Sequence, residues 1–187
     1  VPVVGTMAHS YVQAHDDETE ALRRFAAIYP ETTLLVDTYD TLHGVREVVR
    51  LAREMGRDFT VRAVRIDSGD LVALSKATRR ILDEGGLGDV SIFVSGGLDE
   101  YAIRDILNAG APVEGFGVGT QMVVSGDAPD LDLAYKLVEY EGAPRIKTSP
   151  GKPIYPGRKQ VLRRIENGRM VSDRIVPLSG KGTGEPL

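Results

Sequence analysis

Short apolar runs alternate with amphipathic segments along the first two thirds of the chain. The amphipathic segments place apolar residues three and four positions apart, which predicts helices, and the apolar runs between them predict strands. The predicted helices cover Glu20–Tyr29, the stretch from Val45 to about Gly56, Leu71 to about Leu82, and the stretch around Ile103–Leu107. The predicted strands are Val3–Val4, Leu34–Val36, the segment containing Val64 and Ile66, Val90–Val94, and a short segment beginning at Gly115.

This alternation predicts an α/β fold with a parallel sheet, because strands with few polar residues must be covered on both faces. A polar loop follows every predicted strand in turn, as it does around a barrel, whereas a doubly wound sheet concentrates such loops at one switch point. We therefore expect residues 1–124 to form a partial parallel α/β barrel that carries the active-site loops.

The pattern changes at the turn-rich joint Ser125–Pro129. Beyond it, residues 134–141 and 145–148 predict one antiparallel hairpin, and residues 160–165 and 169–175 predict a second one around Asn167-Gly168. Two hairpins alone are only marginally stable. We therefore expect residues 125–187 to be a β-rich segment that packs on an amino-terminal domain outside this chain.

Composition excludes several classes of function. The chain has 187 residues, 42% of them hydrophobic, and a net charge of −4, which gives no indication of a nucleic-acid surface. The absence of cysteine excludes disulfides, thiolate zinc sites and cysteine nucleophiles. No apolar run approaches the roughly 18 residues that cross a membrane. We expect a cytoplasmic protein without nucleic-acid or membrane partners.

Five aspartates lie where predicted strands end, and they divide into two groups. Asp40, Asp70 and Asp99 directly precede helices, where aspartate is preferred as an N-cap. Asp37 and Asp67 come too early to cap a helix. Such carboxylates can hold Mg²⁺ on a pyrophosphate, orient a histidine or accept hydrogen bonds from a ribose.

Two glycine clusters, Ser95-Gly96-Gly97 and Gly117-Val118-Gly119-Thr120, end neighbouring predicted strands. Glycine allows backbone N–H groups to approach a phosphate, and loops of late barrel strands commonly bind one. Two tight turns without a ligand are the alternative interpretation.

His9 and Arg65 are the other candidates for chemistry. His9 follows the first strand and could act as an acid or base or accept a phosphoryl group, although a structural histidine is the alternative. Arg65 lies within a buried strand, where its guanidinium could bind a carboxylate or phosphate or form a structural ion pair with a neighbouring aspartate.

These residues resemble the nicotinate phosphoribosyltransferase family. Five motifs occur in that family's order: Gly5–Ser10, Val36–Thr41, Arg65–Leu71, Ser95–Glu100 and Gly115–Thr120. Three tail segments agree as well: Tyr135–Val138, Lys147–Lys152 and Pro156–Val161. Together they cover nearly the whole chain, as expected for the carboxyl-terminal part of such a protein.

The resemblance implies a type II phosphoribosyltransferase. Such an enzyme joins nicotinate to phosphoribosyl pyrophosphate, giving nicotinate mononucleotide and pyrophosphate for NAD synthesis, and it couples ATP hydrolysis through a phosphohistidine. By motif position His9 is that histidine, and Asp37 and Asp67 hold it or contact the ribose and the pyrophosphate with Mg²⁺. The resemblance places Arg65 beside the pyridine ring and its carboxylate, and Ser68, Gly69 and Ser95 beside the substrates. It places these residues on the 5′-phosphate: Gly96, Gly97, Gly117, Gly119 and Thr120.

The resemblance also implies a homodimer and an amino-terminal part that carries the aromatic residues that sandwich the pyridine ring. That part belongs either to the same protein or to a separate chain. Gly97 departs from the family pattern, since relatives often carry an acidic residue there. Three alternatives stay open: a nicotinamide-specific relative, an inactive fragment that acts only within a complex, and another barrel enzyme acting on a phosphorylated sugar.

Overall fold

Four parallel strands in sequential order form the central sheet of a computed structural model, which describes residues 5–125, 127, 131, 133–150, 154–182 and 184–186. The strands are β1 (Thr33–Leu35), β2 (Ala63–Ile66), β3 (Ser91–Ser95) and β4 (Gly115–Gly117), and each pairs with the next. Thr6 adds a parallel bridge to Thr33 of β1. The predicted α/β fold with a parallel sheet is confirmed.

Helices connect these strands, and four of them begin at an aspartate. They are α1 (His9–Gln13), α2 (Glu18–Ile28), α3 (Thr41–Met55, followed by a 3₁₀ turn at Gly56–Asp58), α4 (Leu71–Glu84), α5 (Glu100–Asn108) and α6 (Thr120–Val123). Asp40, Asp70 and Asp99 each accept a hydrogen bond from the backbone N–H three residues on, as does Asp17 before α2. The prediction that the first three are N-caps is confirmed.

The core lies between the sheet and its helices. Leu34, Val64 and Ile92 on adjacent strands are fully buried in one cluster with Val48 of α3 and Leu82 of α4. Each such side chain contributes about 1.5–3 kcal/mol by leaving water. This layer holds the strand ends at fixed spacing beneath the loops.

Gly44, in the first turn of α3, sets the distance between that helix and the sheet. A Cβ added there would overlap the carbonyl oxygen of Val36, which directly precedes Asp37. The helix backbone therefore packs on the strand end itself, with no side chain between them.

The chain divides into two compact units. The first is Val1–Tyr135 with Lys147–Pro153, and the second is Lys136–Ile146 with Ile154–Leu187. The second unit contains β5 (Glu139–Tyr140) paired with β6 (Ala143–Pro144), and a three-stranded antiparallel sheet of order β8-β7-β9. Those strands are β7 (Lys159–Glu166), β8 (Arg169–Pro177) and β9 (Glu185–Pro186). The predicted domain division at residue 125 stays a prediction.

The second predicted hairpin is confirmed, and the extent of the first was wrong. Asn167 and Gly168 both have positive φ, as a two-residue hairpin turn requires, and β7 pairs with β8 across it. The first hairpin is limited to two residues a strand. Arg145 still donates its N–H to the carbonyl oxygen of Val138, but Thr148 donates its own N–H to Thr38 of the first unit, so the second strand leaves the hairpin there.

Two sequence expectations fall on positions outside the described residues: the strand Val3–Val4 and the joint at Gly126, Ala128 and Pro129. In the part of the chain that is described, no helix has the length and apolar character to cross a bilayer.

Candidate active site

Side chains from four successive segments of the chain meet at the carboxyl edge of the parallel sheet. His9 begins α1, Asp37 follows β1, Asp67 follows β2, and Ser95 ends β3. Because parallel strands end at the same edge, residues far apart in sequence are brought within hydrogen-bonding distance. The site residues His9, Asp37, Asp67, Ser68 and Ser95 form one connected cluster.

His9 is held at both ring nitrogens. Its Nε2 lies 3.4 Å from Asp67 Oδ2 and 4.0 Å from Asp37 Oδ1, and its Nδ1 lies 3.1 Å from Thr38 Oγ1. Since a carboxylate only accepts hydrogen bonds, it favours the tautomer with the proton on Nε2. The lone pair on Nδ1 then faces the Thr38 hydroxyl, and only 16% of the His9 side chain is exposed.

Asp67 is a permanently charged group in this cluster. Burial would raise the pKa of its carboxyl, but hydrogen bonds from His9 and Ser95, together with the positive charge of Arg65, lower the pKa to about 2. Asp67 therefore carries a full negative charge at neutral pH, with 29% of its side chain exposed. It can face a cationic centre as well as His9.

Asp37 is enclosed and connects two loops. Its Oδ2 accepts the backbone N–H of Asp67 at 3.0 Å and the hydroxyl of Ser68. Its side chain is fully buried, and Oδ1 has no hydrogen-bond partner among the described residues. Asp37 thus fixes the loop after β2 to the loop after β1, with one oxygen directed towards His9.

Arg65 contacts the loop that carries His9. One terminal nitrogen donates to the carbonyl oxygen of Met7 at 3.0 Å, and Nε is buried without a hydrogen-bond partner in the described structure. The side chain also lines a cavity of about 850 Å³, together with Phe93 and Phe116. This space lies along the sheet, and its lining includes none of His9, Asp37 and Asp67.

The glycines of the two clusters differ in their surroundings. Gly96 has φ +101°, and an added Cβ would overlap the carbonyl oxygen of Asp67, so this position is required for packing. Gly97 and Gly119 are exposed, and an added Cβ at either would meet nothing within 4 Å. Gly117 pairs in register with Ser95. Gly97 and Gly119 are the positions that leave room for a ligand.

Sequence reasoning missed two contributors to this site. Thr38 is fully buried and contacts His9, and its position directly after Asp37 was the available signal. Ser149 lies 3.3 Å from Ser68, Oγ to Oγ, across 81 residues of sequence. No local sequence pattern predicts a contact between residues so far apart in the chain.

Comparison with known proteins finds similar nicotinate phosphoribosyltransferases. The nicotinate phosphoribosyltransferase pncB2 of Mycobacterium tuberculosis is 57% identical over all 187 residues, which span 40% of that protein. The nicotinate phosphoribosyltransferase of Bacillus subtilis is 39% identical over 92% of the chain, which spans 37% of that protein. The chain is a relative of the nicotinate phosphoribosyltransferases. The resemblance indicated by the sequence motifs is thereby confirmed.

Solved structures of nicotinate phosphoribosyltransferases and a related protein share this fold. The nicotinate-nucleotide pyrophosphorylase of Pyrococcus furiosus matches 98% of the chain with a TM-score of 0.52 and 34% identity, over 47% of its own length. The nicotinate phosphoribosyltransferase of Porphyromonas gingivalis matches 79% of the chain with a TM-score of 0.65, over 42% of its length, and its 23% identity supports the fold alone. No protein-family model matches the chain.

Proposed function

We propose that this chain forms the catalytic edge of a nicotinate phosphoribosyltransferase in NAD salvage, coupled to ATP through a phosphohistidine at His9. The observation that carries the proposal is the placement of His9 between Thr38 on one ring nitrogen and two carboxylates on the other. The chain spans about two fifths of the relatives it matches, so the activity belongs to the complete protein that contains it.

His9 attacks through Nδ1 once the Thr38 hydroxyl, which faces that lone pair in this structure, turns away from it. With Nε2–H held by Asp67, the Nδ1 lone pair forms a bond to the terminal phosphorus of ATP, and the bond to ADP breaks. Asp67 stays ionised and balances the positive charge that develops on the ring. Attack by water on the phosphorus later returns His9 and releases phosphate.

The transfer step needs negative charge near the sugar. The ring nitrogen of nicotinate bonds to the anomeric carbon of phosphoribosyl pyrophosphate as the bond to the pyrophosphate oxygen breaks, and positive charge builds on the ribose. A fixed carboxylate stabilises that charge most when it needs no reorganisation. Asp67, with its lowered pKa and partial exposure, meets this requirement.

The carboxylates of this site could contact a Mg²⁺ ion, but only one that the substrate's phosphates mainly hold. Among the described residues, no group of three or more His, Cys, Asp or Glu side chains is placed to hold a metal. Mg²⁺ usually keeps several waters and binds through one or two carboxylates together with phosphates. Of the two predicted contacts, Asp67 is accessible and Asp37 is enclosed, so Asp67 would make the contact. When bound, the ion would neutralise the pyrophosphate charge.

The remaining predicted residues have roles that their surroundings support. Gly97, Gly119 and the exposed Thr120 offer open backbone for the 5′-phosphate, while Gly96 and Gly117 maintain the loops. The Arg65 side chain lines the cavity, and its charge favours the carboxylate of nicotinate over the neutral amide of nicotinamide. Ser68 and Gly69 lie in the loop after β2, directly following Asp67.

The sequential order of parallel strands also supports the predicted barrel. A singly wound sheet of this kind has one face lined by helices, and its other face needs covering. We propose that the rest of the complete protein supplies that cover. The homodimer, the cytoplasmic location and a separate amino-terminal chain stay predictions.

The experiment compares His9→Ala with His43→Ala in the complete protein. His43 is exposed on α3, and its backbone N–H, which alanine retains, makes the capping bond to Asp40. We expect wild type and His43→Ala to take up acid-labile label from γ-labelled ATP and to form nicotinate mononucleotide at the same rate. His9→Ala should take up none and lose the ATP dependence.

Equal labelling of His9→Ala would contradict the phosphohistidine assignment. Formation of product from nicotinamide in preference to nicotinate would favour the nicotinamide-specific alternative. Absence of turnover by the folded complete protein would favour the alternative of an inactive fragment that acts only within a complex.

A further inference from the structure

A short segment from the tail, Lys147–Pro150, lies over the loops that hold His9. We call it the strap. The backbone N–H of Thr148 donates to the carbonyl oxygen of Thr38 at 3.3 Å, and Ser149 Oγ lies 3.3 Å from Ser68 Oγ. A Cβ added to Gly69 would lie 3.9 Å from Pro150. The strap therefore contacts both the loop after β1 and the loop after β2.

Both strap contacts lead to residues that bracket the His9 ring. Thr38, whose carbonyl accepts from the strap, places its hydroxyl on Nδ1. Ser68, which Ser149 contacts, bonds to Asp37, whose free oxygen lies 4.0 Å from Nε2. Asp37 and Thr38 are adjacent in sequence, so one dipeptide flanks the ring and the strap supports it from both ends.

The serine pair has a fixed direction. A hydroxyl has one hydrogen, and the buried carboxylate of Asp37 can only accept, so the Ser68 hydrogen is used on Asp37. The contact between the two serines must then use the hydrogen of Ser149. Ser149 donates to Ser68, Ser68 donates to Asp37, and each bond polarises the next.

We propose that Ser149 is a positioning residue for His9, acting through Ser68 and Asp37; this rests on the proposed phosphohistidine function. Ser149 touches neither His9 nor a reacting atom in this arrangement. Its hydroxyl keeps Ser68 in the orientation that leaves the second oxygen of Asp37 facing the ring. At 3.3 Å the bond is longer than an ordinary O–H···O bond, so the expected effect is moderate.

The test uses four forms of the complete protein: wild type, Ser149→Ala, Ser149→Thr and Thr148→Ala. Thr148 is the matched control, since its contact uses the backbone N–H and its side chain is exposed. We expect Ser149→Ala to lower the rate of His9 phosphorylation and kcat by about 3- to 10-fold, the effect of one neutral hydrogen bond. KM for nicotinate and the melting temperature should not change, Ser149→Thr should restore the rate, and Thr148→Ala should match wild type.

Three results would overturn the proposal. One is a wild-type phosphorylation rate in Ser149→Ala. Another is a loss of rate that comes with a lower melting temperature and is not rescued by threonine, which would make the strap merely structural. The third is absence of phosphorylation in wild type, which would remove the proposed function as well. The first two leave wild-type phosphorylation intact, so the two failures are distinguishable.

Discussion

The two halves of the sheet edge are built in opposite ways. At the ends of β1 and β2, side chains bond to one another: His9 to Asp67 and Thr38, and Asp37 to Ser68. At the ends of β3 and β4, Ser95 still bonds to Asp67, but Gly97 and Gly119 beyond it present backbone to open space. The side chains of the first half are organised before any ligand arrives, whereas the second half leaves backbone N–H groups available to a ligand. Bond-making chemistry needs the first arrangement, and phosphate binding needs the second.

The largest expected effect comes from removing charge in the bonded half. Asp67→Asn keeps the size of the side chain but loses the negative charge that holds Nε2–H of His9. We expect kcat for nicotinate mononucleotide formation to fall by about 10²- to 10³-fold, as for the loss of one preorganised electrostatic contact. Steady-state assays of the complete protein measure this. Asp70→Asn is the control, because asparagine caps helices as well as aspartate does, and equal loss in both variants would contradict the assignment.

A second prediction compares alanine substitutions at the two adjacent glycines, Gly96 and Gly97. Gly96→Ala should destabilise the protein by about 2–4 kcal/mol, because its Cβ overlaps the Asp67 carbonyl and its φ is +101°. Gly97→Ala, with φ +65° and open space, should cost about 1 kcal/mol but raise KM for phosphoribosyl pyrophosphate. Denaturant unfolding and steady-state kinetics measure the two quantities. Similar stability losses would show that both glycines serve packing.

The smallest effect concerns Glu18, at the start of α2. Burial and the neighbouring acids Glu47, Asp17, Asp40 and Asp37 raise its pKa to about 7. The folded state therefore binds the Glu18 proton more tightly than the unfolded state does, and stability falls as pH rises from about 4.5 to 7. Glu18→Gln should remove this loss and gain about 1–2 kcal/mol at pH 8, after allowance for solvent screening, with little gain at pH 4.5.

Melting curves at the two pH values measure the Glu18 effect. Glu84→Gln, at the exposed end of α4, should give no pH-dependent gain. A gain for Glu18→Gln that is the same at both pH values would indicate that the carboxyl does not titrate in this range.

The sequence predicted the fold where the signals were local. Alternating apolar runs and helical spacing gave the parallel sheet, aspartates before helices gave the caps, and Asn167-Gly168 gave the long hairpin. The first hairpin was overextended because its second strand stops at Pro144 and the chain then returns to the first unit. His9 also begins a five-residue helix that was expected as a loop.

The site was predictable in its members but not in its bonds. Residue type and strand-end position identified His9, Asp37 and Asp67, and the structure brings them together. Which oxygen of Asp37 is occupied, and which nitrogen of His9 meets Thr38, depends on loop conformations set by distant contacts. Ser149 belongs to the same class, since 81 residues separate it from Ser68.

Gly44 has a consequence for engineering this protein. Because α3 rests directly on the backbone before Asp37, any side chain at position 44 would act as a spacer and shift the residues that flank His9. A variant library aimed at new acceptor molecules should therefore keep position 44 constant. Positions 97 and 119 should stay glycine as well, because their backbone is the proposed contact for the donor's 5′-phosphate and Gly97 has φ +65°. Diversity belongs at Phe93 and Phe116, which line the cavity together with Arg65.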